Sequence, residues 1–222
     1  MGLTKKQMFV AVLSLLYIVG WTYRIVPNFH TFVLPRQNND FSFVDGHCLK
    51  NGKAGLNQGL GQCGKVSGEN LGAVNAAEAD LSGTDFFEAL LVSADFTKAV
   101  LRSANLGKTR MDGTQFDGAD LTDADLRGAM VYGSRWHGAR FDNSDLRGIK
   151  AVGSVFDRSS FKNAKLQVAD LSDCSFVDAD FSGADLTQAL VVGSDFHNAI
   201  FDGSTRLPFS TERAAALGMK HQ

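Results

Sequence analysis

Three cysteines, five histidines and 24 acidic side chains carry most of the chemistry this sequence could do. Cys48 and Cys63 flank a stretch rich in Gly, Asn, Gln and Lys that reads as loop. In an oxidising compartment the pair could form a disulfide; in a reducing one they are two free thiols. The bridge would close a loop of about 15 residues, worth roughly 3 kcal/mol if it acts mainly on the unfolded chain. His47 and Cys48 together with Cys63 supply at most three metal ligands, without a familiar zinc spacing, so no metal is expected there. The carboxylates recur at regular intervals and single out no pair in a cleft. The sequence contains no phosphate loop, no HExxH and no nucleophile elbow. No catalytic residue, cofactor or metal site is expected, and the chain reads as a non-enzyme.

The regular recurrence itself sets the architecture. Every fifth residue from Leu81 to Phe201 is apolar: Leu81, Phe86, Leu91, Phe96, Leu101 and onward, 25 positions in all. Two places before each stands Ala, Ser, Thr or Cys, from Ala79 to Ala199, except at Ile149. Ile149 is followed two residues later by Ala151, the only small residue of the large series. Such a swap conserves volume, which packed cores tolerate best, so both positions are expected to face one interior. A period of five fits neither a helix nor a flat strand. A chain that turns a corner every five residues puts each large residue inside, with Asp, Asn, Ser and Gly building the corners. One such unit cannot bury its own large residue, so successive coils must stack. Cys174 occupies a small inward position and is expected to be inert core.

Segments such as A-D-L-S-G from Ala79, A-N-L-G-K from Ala104, A-D-L-T-D from Ala119, A-D-L-R-G from Ala124 and A-D-L-T-Q from Ala184 resemble the pentapeptide-repeat family signature, A-(D/N)-L-x-x. The resemblance covers residues 79 to 203 and implies an all-β solenoid, a right-handed quadrilateral β-helix with four pentads per coil. Twenty-five pentads then give about six coils and a tower roughly 30 Å long. Positions 20 apart stack, which makes Phe96, Phe116, Trp136, Phe156, Phe176 and Phe196 an interior aromatic ladder. His137 and His197 fall on one outer column about three coils apart, too far to share a metal.

Four segments follow: 1–26, 27–70, 71–203 and 204–222. Lys5 and Lys6 precede an apolar run from Met8 to Tyr23 that Arg24 ends. As a helix its 16 residues would span about 24 Å, short of the roughly 30 Å hydrocarbon core, with Ile25 and Val26 able to extend it. The basic start suits a cleaved signal peptide, but Trp21, Tyr23 and Arg24 stand where a small-residue cleavage site belongs. An uncleaved signal anchor fits better. It would hold the lipid bilayer through residues 8–23 and export the remainder, placing the repeats in the periplasm of a bacterium. Secretion after cleavage is the alternative. Residues 27–70 show no periodicity and read as linker. At the far end, Ser210 or Thr211 can N-cap a short helix over Glu212 to Leu217, with Gly218 ending it. Leu207, Phe209, Ala214 and Leu217 can close the core.

The net charge of −2 gives no general affinity for nucleic acid or anionic membranes. One outer column carries Leu90, Val92, Met130, Tyr132, Val152, Leu190 and Val192, interrupted by Arg110, Lys150 and Asp170. An apolar strip of this kind marks a protein-binding surface, for a membrane or envelope partner or for a second copy, or else reflects only the preference of β-branched residues for strands. The expected function is a membrane-anchored interaction scaffold. The resemblance supplies an alternative, since some family members imitate B-form DNA and bind DNA gyrase. Residues 78–203 hold 20 acidic against 12 basic side chains, and residues 166–203 hold seven Asp with no Lys or Arg.

Overall fold

The computed structural model describes residues 64–222 in full, together with the backbone of three strands: β1 Phe41–Val44, β2 His47–Lys50 and β3 Lys53–Ala54. The apolar segment at 8–23 and Cys63 lie outside the described residues. Among the described residues no helix is long and apolar enough to cross a membrane.

β1, β2 and β3 form an antiparallel sheet, with Val44 opposite His47 and Lys50 opposite Lys53. Part of the segment read as linker is therefore strand. Asp45-Gly46 and Asn51-Gly52 occupy the two-residue connections, and both dipeptides favour hairpin turns. Cys48 pairs with Phe43 across this sheet.

From Lys65 onward the chain winds in coils of 20 residues. Each residue just before a large inward position bridges, in parallel, its counterpart one coil later, from Lys65 with Asp85 to Asp180 with Ile200. Leu91 N donates to Arg110 O at 2.7 Å, and Arg110 N donates to Ala89 O at 3.0 Å, so neighbouring coils exchange bonds along each side. The ladder begins at Lys65, three pentads before Leu81, giving seven levels in place of about six. Val66, Leu71 and Ala76 are the inward residues these pentads add. Their pattern is blurred because Gly64, Glu69 and Val74 stand where small Ala, Ser or Thr stand lower down. Val74 and Ala76 repeat the large-for-small exchange of Ile149 and Ala151.

Each corner is a four-residue turn. At the first corner of the full register, Thr84 N donates to Leu81 O at 3.1 Å and Gly83 takes φ +67°. Positive φ at the third residue defines a type II turn and favours Gly or Asn there. The Asp before the large residue braces the same turn: Asp80 Oδ1 accepts from Ser82 N at 3.1 Å and from Ser82 Oγ at 2.6 Å. Asp95, Asp120, Asp125 and Asp170 repeat the backbone bond. Val168 holds the corner position with φ 60°, a conformation that β-branched residues rarely adopt.

The interior is apolar and fully buried over most of the tower. Ile149 and Ala151 are both buried, so the exchange inferred from volume sits inside one core. The expected aromatic ladder stacks ring on ring: Phe96 on Phe116 at 4.9 Å, Phe116 on Trp136 at 4.0 Å, and on through Phe156 and Phe176 to Phe196. A second ladder, Phe141, Phe161 and Phe181, stacks at 4.8 and 5.0 Å and meets the first edge-on. Trp136 Nε1 is buried with no hydrogen-bond partner. Burial pushes the Cys174 thiol up to about 11, which keeps it protonated and unreactive.

The last coil holds one extra residue: Asp185 bridges Arg206, 21 positions on. Asp202 organises that turn, accepting from Ser204 Oγ at 2.7 Å, Ser204 N at 2.9 Å and Gly183 N at 3.1 Å. These donors, the Ser204 hydroxyl first, hold its carboxyl far below the usual carboxylate range. The cap helix α1 runs Thr211–Ala216 with Ser210 as N-cap, and Gly218 follows with φ +80°. Ala214 is buried, and Leu207, Phe209 and Leu217 pack on the core. β4 Ile200–Phe201 then pairs in parallel with β5 Lys220–His221.

Candidate interaction face

The seven residues of the apolar column share one side of the tower. Leu71, Leu91, Met111, Val131, Ala151, Leu171 and Val191 line it inside. Outside, bridges link Leu90 to Arg110, Arg110 to Met130, Met130 to Lys150, Lys150 to Asp170 and Asp170 to Leu190. The residues two places later form a parallel row: Val92, Asp112, Tyr132, Val152, Ser172 and Val192. Strand geometry dictates this: the residues on either side of an inward one point out.

The side is not uniformly apolar. Met130, Tyr132 and Val152 come together on adjacent coils. Leu90 and Val92 are set apart by the coil of Arg110 and Asp112, which pair at 2.8 Å. Leu190 and Val192 are set apart by Asp170 and Ser172, where Ser172 Oγ donates to Asp170 Oδ1 at 2.8 Å. Exposure rises down the tower: Val92 is 37 % exposed, Tyr132 39 %, Leu190 57 % and Val192 75 %. Leu90, Met130 and Val152 are half-buried. Three apolar patches thus lie along this side, each separated from the next by one polar coil.

The side around the Leu106, Leu126 and Leu146 column differs in kind. Arg127 grips Asp125 with two nitrogens, at 2.9 and 2.6 Å, and Arg147 grips Asp145 in the same way at 2.8 and 2.6 Å. Burial alone would raise both carboxyls, but the arginine hydrogen bonds outweigh it and hold them below the ordinary value. On this side Phe87 lies over Gly107, and Lys108 Nζ sits 5.2 Å from its ring centre. Phe87, Asn105, Lys108 and Arg127 edge a shallow depression of about 330 Å³. Phe87 is not among the expected surface residues; its signal in the sequence is an aromatic at an outward place of an otherwise polar column. Among the described residues no group of three His, Cys, Asp or Glu could hold a metal ion.

The family model for pentapeptide repeats matches eight copies across residues 67–102, 94–130, 139–178 and 179–205, more than half the chain. The chain belongs to the pentapeptide-repeat family. Among solved structures it is similar to that of HetL, a pentapeptide repeat protein involved in heterocyst differentiation regulation from the cyanobacterium Nostoc: 22% identity, TM-score 0.47, covering 71% of this chain and 84% of that one. QnrB1, a plasmid-mediated fluoroquinolone resistance protein, gives 17% identity and TM-score 0.38 over 72% of this chain and 89% of that one. A pentapeptide repeat protein from the Arabidopsis thaliana thylakoid lumen gives 22% and 0.23 over 62% and 73%. No curated protein matches the chain.

Proposed function

We propose that this pentapeptide-repeat protein is a non-enzymatic interaction scaffold, anchored in a membrane by residues 8–23 with its tower exported. Its partner is a membrane or envelope protein that docks on the side carrying Leu90, Val92, Met130, Tyr132, Val152, Leu190 and Val192. The observation that carries the reading is the contrast between sides. Four of the six large apolar side chains exposed on the tower, Val92, Tyr132, Leu190 and Val192, share this one side. Patches of this kind mark binding surfaces on otherwise polar proteins. The basic start and apolar run of residues 5–23 support the anchor. In an exported protein Cys48 and Cys63 would be joined, pinning the strands of 41–54 to the start of the tower.

A second reading, imitation of DNA toward gyrase or another nucleic-acid enzyme, draws support from the acidic excess of residues 78–203. Ion pairing works against it, because Arg102, Arg127, Arg135, Arg140 and Arg147 each neutralise a neighbouring Asp. An alkaline phosphatase reporter fused after Gln222 separates the two. Activity there supports the exported scaffold. A reporter active only in the cytoplasm sinks it and revives the imitation of DNA.

A further inference from the structure

The cap covers three of the four sides of the last coil, one of them by a single backbone bond, and leaves the fourth open. Arg206 bridges Asp185, β5 pairs with β4, and Asn198 N donates to Gly218 O at 2.9 Å. The side bearing Val191 receives no such cover. In the coil above, Leu171 N donates to Leu190 O and Asp173 N to Val192 O, both at 2.8 Å, while Ala169 O accepts from Leu190 N at 2.8 Å. One level lower, among the described residues, the N–H groups of Val191 and Gly193 and the carbonyl of Ala189 have no hydrogen-bond partner. Burial agrees: in the register from Ala79 to Phe201, Val191 and Ser194 are the inward residues that stay partly exposed. Such an edge is a template for another strand.

Two further features say what strand it would take. Leu190 and Val192, at 57 % and 75 % exposed, stand on this edge and offer apolar contact to its side chains. Asp170 and Asp173 lie one coil above and Asp195 just beyond, within the stretch 166–203 that holds seven Asp and no Lys or Arg. The Asp173 carboxylate leans over Gly193 itself. None of these three carboxylates takes part in an ion pair. A second copy of the chain would bring the same carboxylates against them, so charge disfavours self-pairing here.

We propose that the Ala189–Ser194 edge binds an extended segment of a partner protein, apolar residues alternating with Lys or Arg, as an eighth parallel strand. Its backbone N–H would meet Ala189 O, and its carbonyls the N–H groups of Val191 and Gly193. Its basic side chains would reach Asp170, Asp173 and Asp195. The inference shares with the proposed function the premise that the tower works by binding, and the residues Leu190 and Val192; Val92 and Tyr132 belong to the side-on reading alone.

The test is fluorescence anisotropy on the full chain with a labelled eight-residue peptide alternating Lys and Val. Saturable binding is expected, weakening as salt rises. The same peptide N-methylated at alternate amides should bind about tenfold more weakly, having lost its ladder bonds. Val191→Pro, which removes one edge N–H, and Val192→Lys, which leaves the backbone intact but repels the peptide, should each weaken binding by a similar factor. Val92→Lys, five coils away, should leave it unchanged. Equal binding of the N-methylated peptide, or of an alternating Glu and Val peptide, overturns the proposal. So does self-association of the protein that Val192→Lys abolishes, since the edge would then seat a second copy. Lost partner recovery in Val92→Lys and Tyr132→Lys, with no peptide binding at the edge, would retain the side-on scaffold and reject the eighth strand.

Discussion

Two sides of the tower divide its labour. The side over the aromatic ladder is heavy within, Phe96, Phe116, Trp136, Phe156, Phe176 and Phe196, and mostly polar without, with Asp117, Asp157 and His137 among its outer residues. The side over Leu91, Met111, Val131 and Ala151 is lighter within and bears the apolar patches without. The coil demands large inward residues and turn-competent corners, and from its outward places only the Asp and Asn that brace those corners. Apolar outward residues on the lighter side are therefore free of the folding requirement, which is why they, and not the aromatics, are candidates for recognition.

The largest effect should come from emptying the aromatic ladder. Phe116→Ala or Phe156→Ala should cost about 3–5 kcal/mol in urea unfolding. Val131→Ala on the lighter side removes fewer atoms and should cost clearly less; equal costs would break the distinction between the two interiors. Next in size is the exchanged pair. Ile149→Ala alone leaves a cavity and should cost about 2–5 kcal/mol. Adding Ala151→Ile should recover part of that loss, with a coupling of about 0.5–3 kcal/mol in a double-mutant cycle. Strict additivity would mean the two residues do not share one space. Smaller again, Val168→Asn should stabilise the tower by about 1 kcal/mol, because Asn accepts the left-handed corner that a β-branched side chain resists.

The smallest effect concerns the polar side. The hydrogen bonds of Arg127 and Arg147 lower the folded values of Asp125 and Asp145 below those of the unfolded chain. A lowered carboxylate contributes stability that is present above its unfolded value, about 3.9, and is lost as pH falls through the folded one. Arg147→Gln should therefore reduce Tm slightly at pH 6 and converge on the wild type near pH 2. A difference that persists unchanged at pH 2 would assign the effect to packing of the arginine stem.

The solenoid was legible because its period is imposed by burial. Twenty-five apolar residues in one register, all but Ala151 large or medium-sized, allow few other folds, and the exchange at Ile149 and Ala151 read correctly as a volume swap. The top of the stack was legible back to residue 71 but not to Lys65, because Gly64 and Glu69 relax the rule at an end of the stack, where inward places are less enclosed. The strands at 41–54 escaped for a different reason. Their signal lies in the dipeptides Asp45-Gly46 and Asn51-Gly52, whose preference for hairpin turns a search for periodicity does not weigh. The candidate face was legible residue by residue, since the 20-residue register fixes which outward places align. Its division into three patches and its open lower edge were not. Those depend on which polar residues pair across the column and on where the cap leaves the coil path at Ser210.

The most direct test of the account is recovery of partners from solubilised membranes by the full chain carrying Val92→Lys, Tyr132→Lys and Val192→Lys together. The account predicts that proteins recovered with the wild type are lost while the unfolding midpoint stays within about 0.5 kcal/mol of it, as surface substitutions usually do. Undiminished recovery of the same proteins by the triple variant would contradict the claim that this side of the tower is where the protein works.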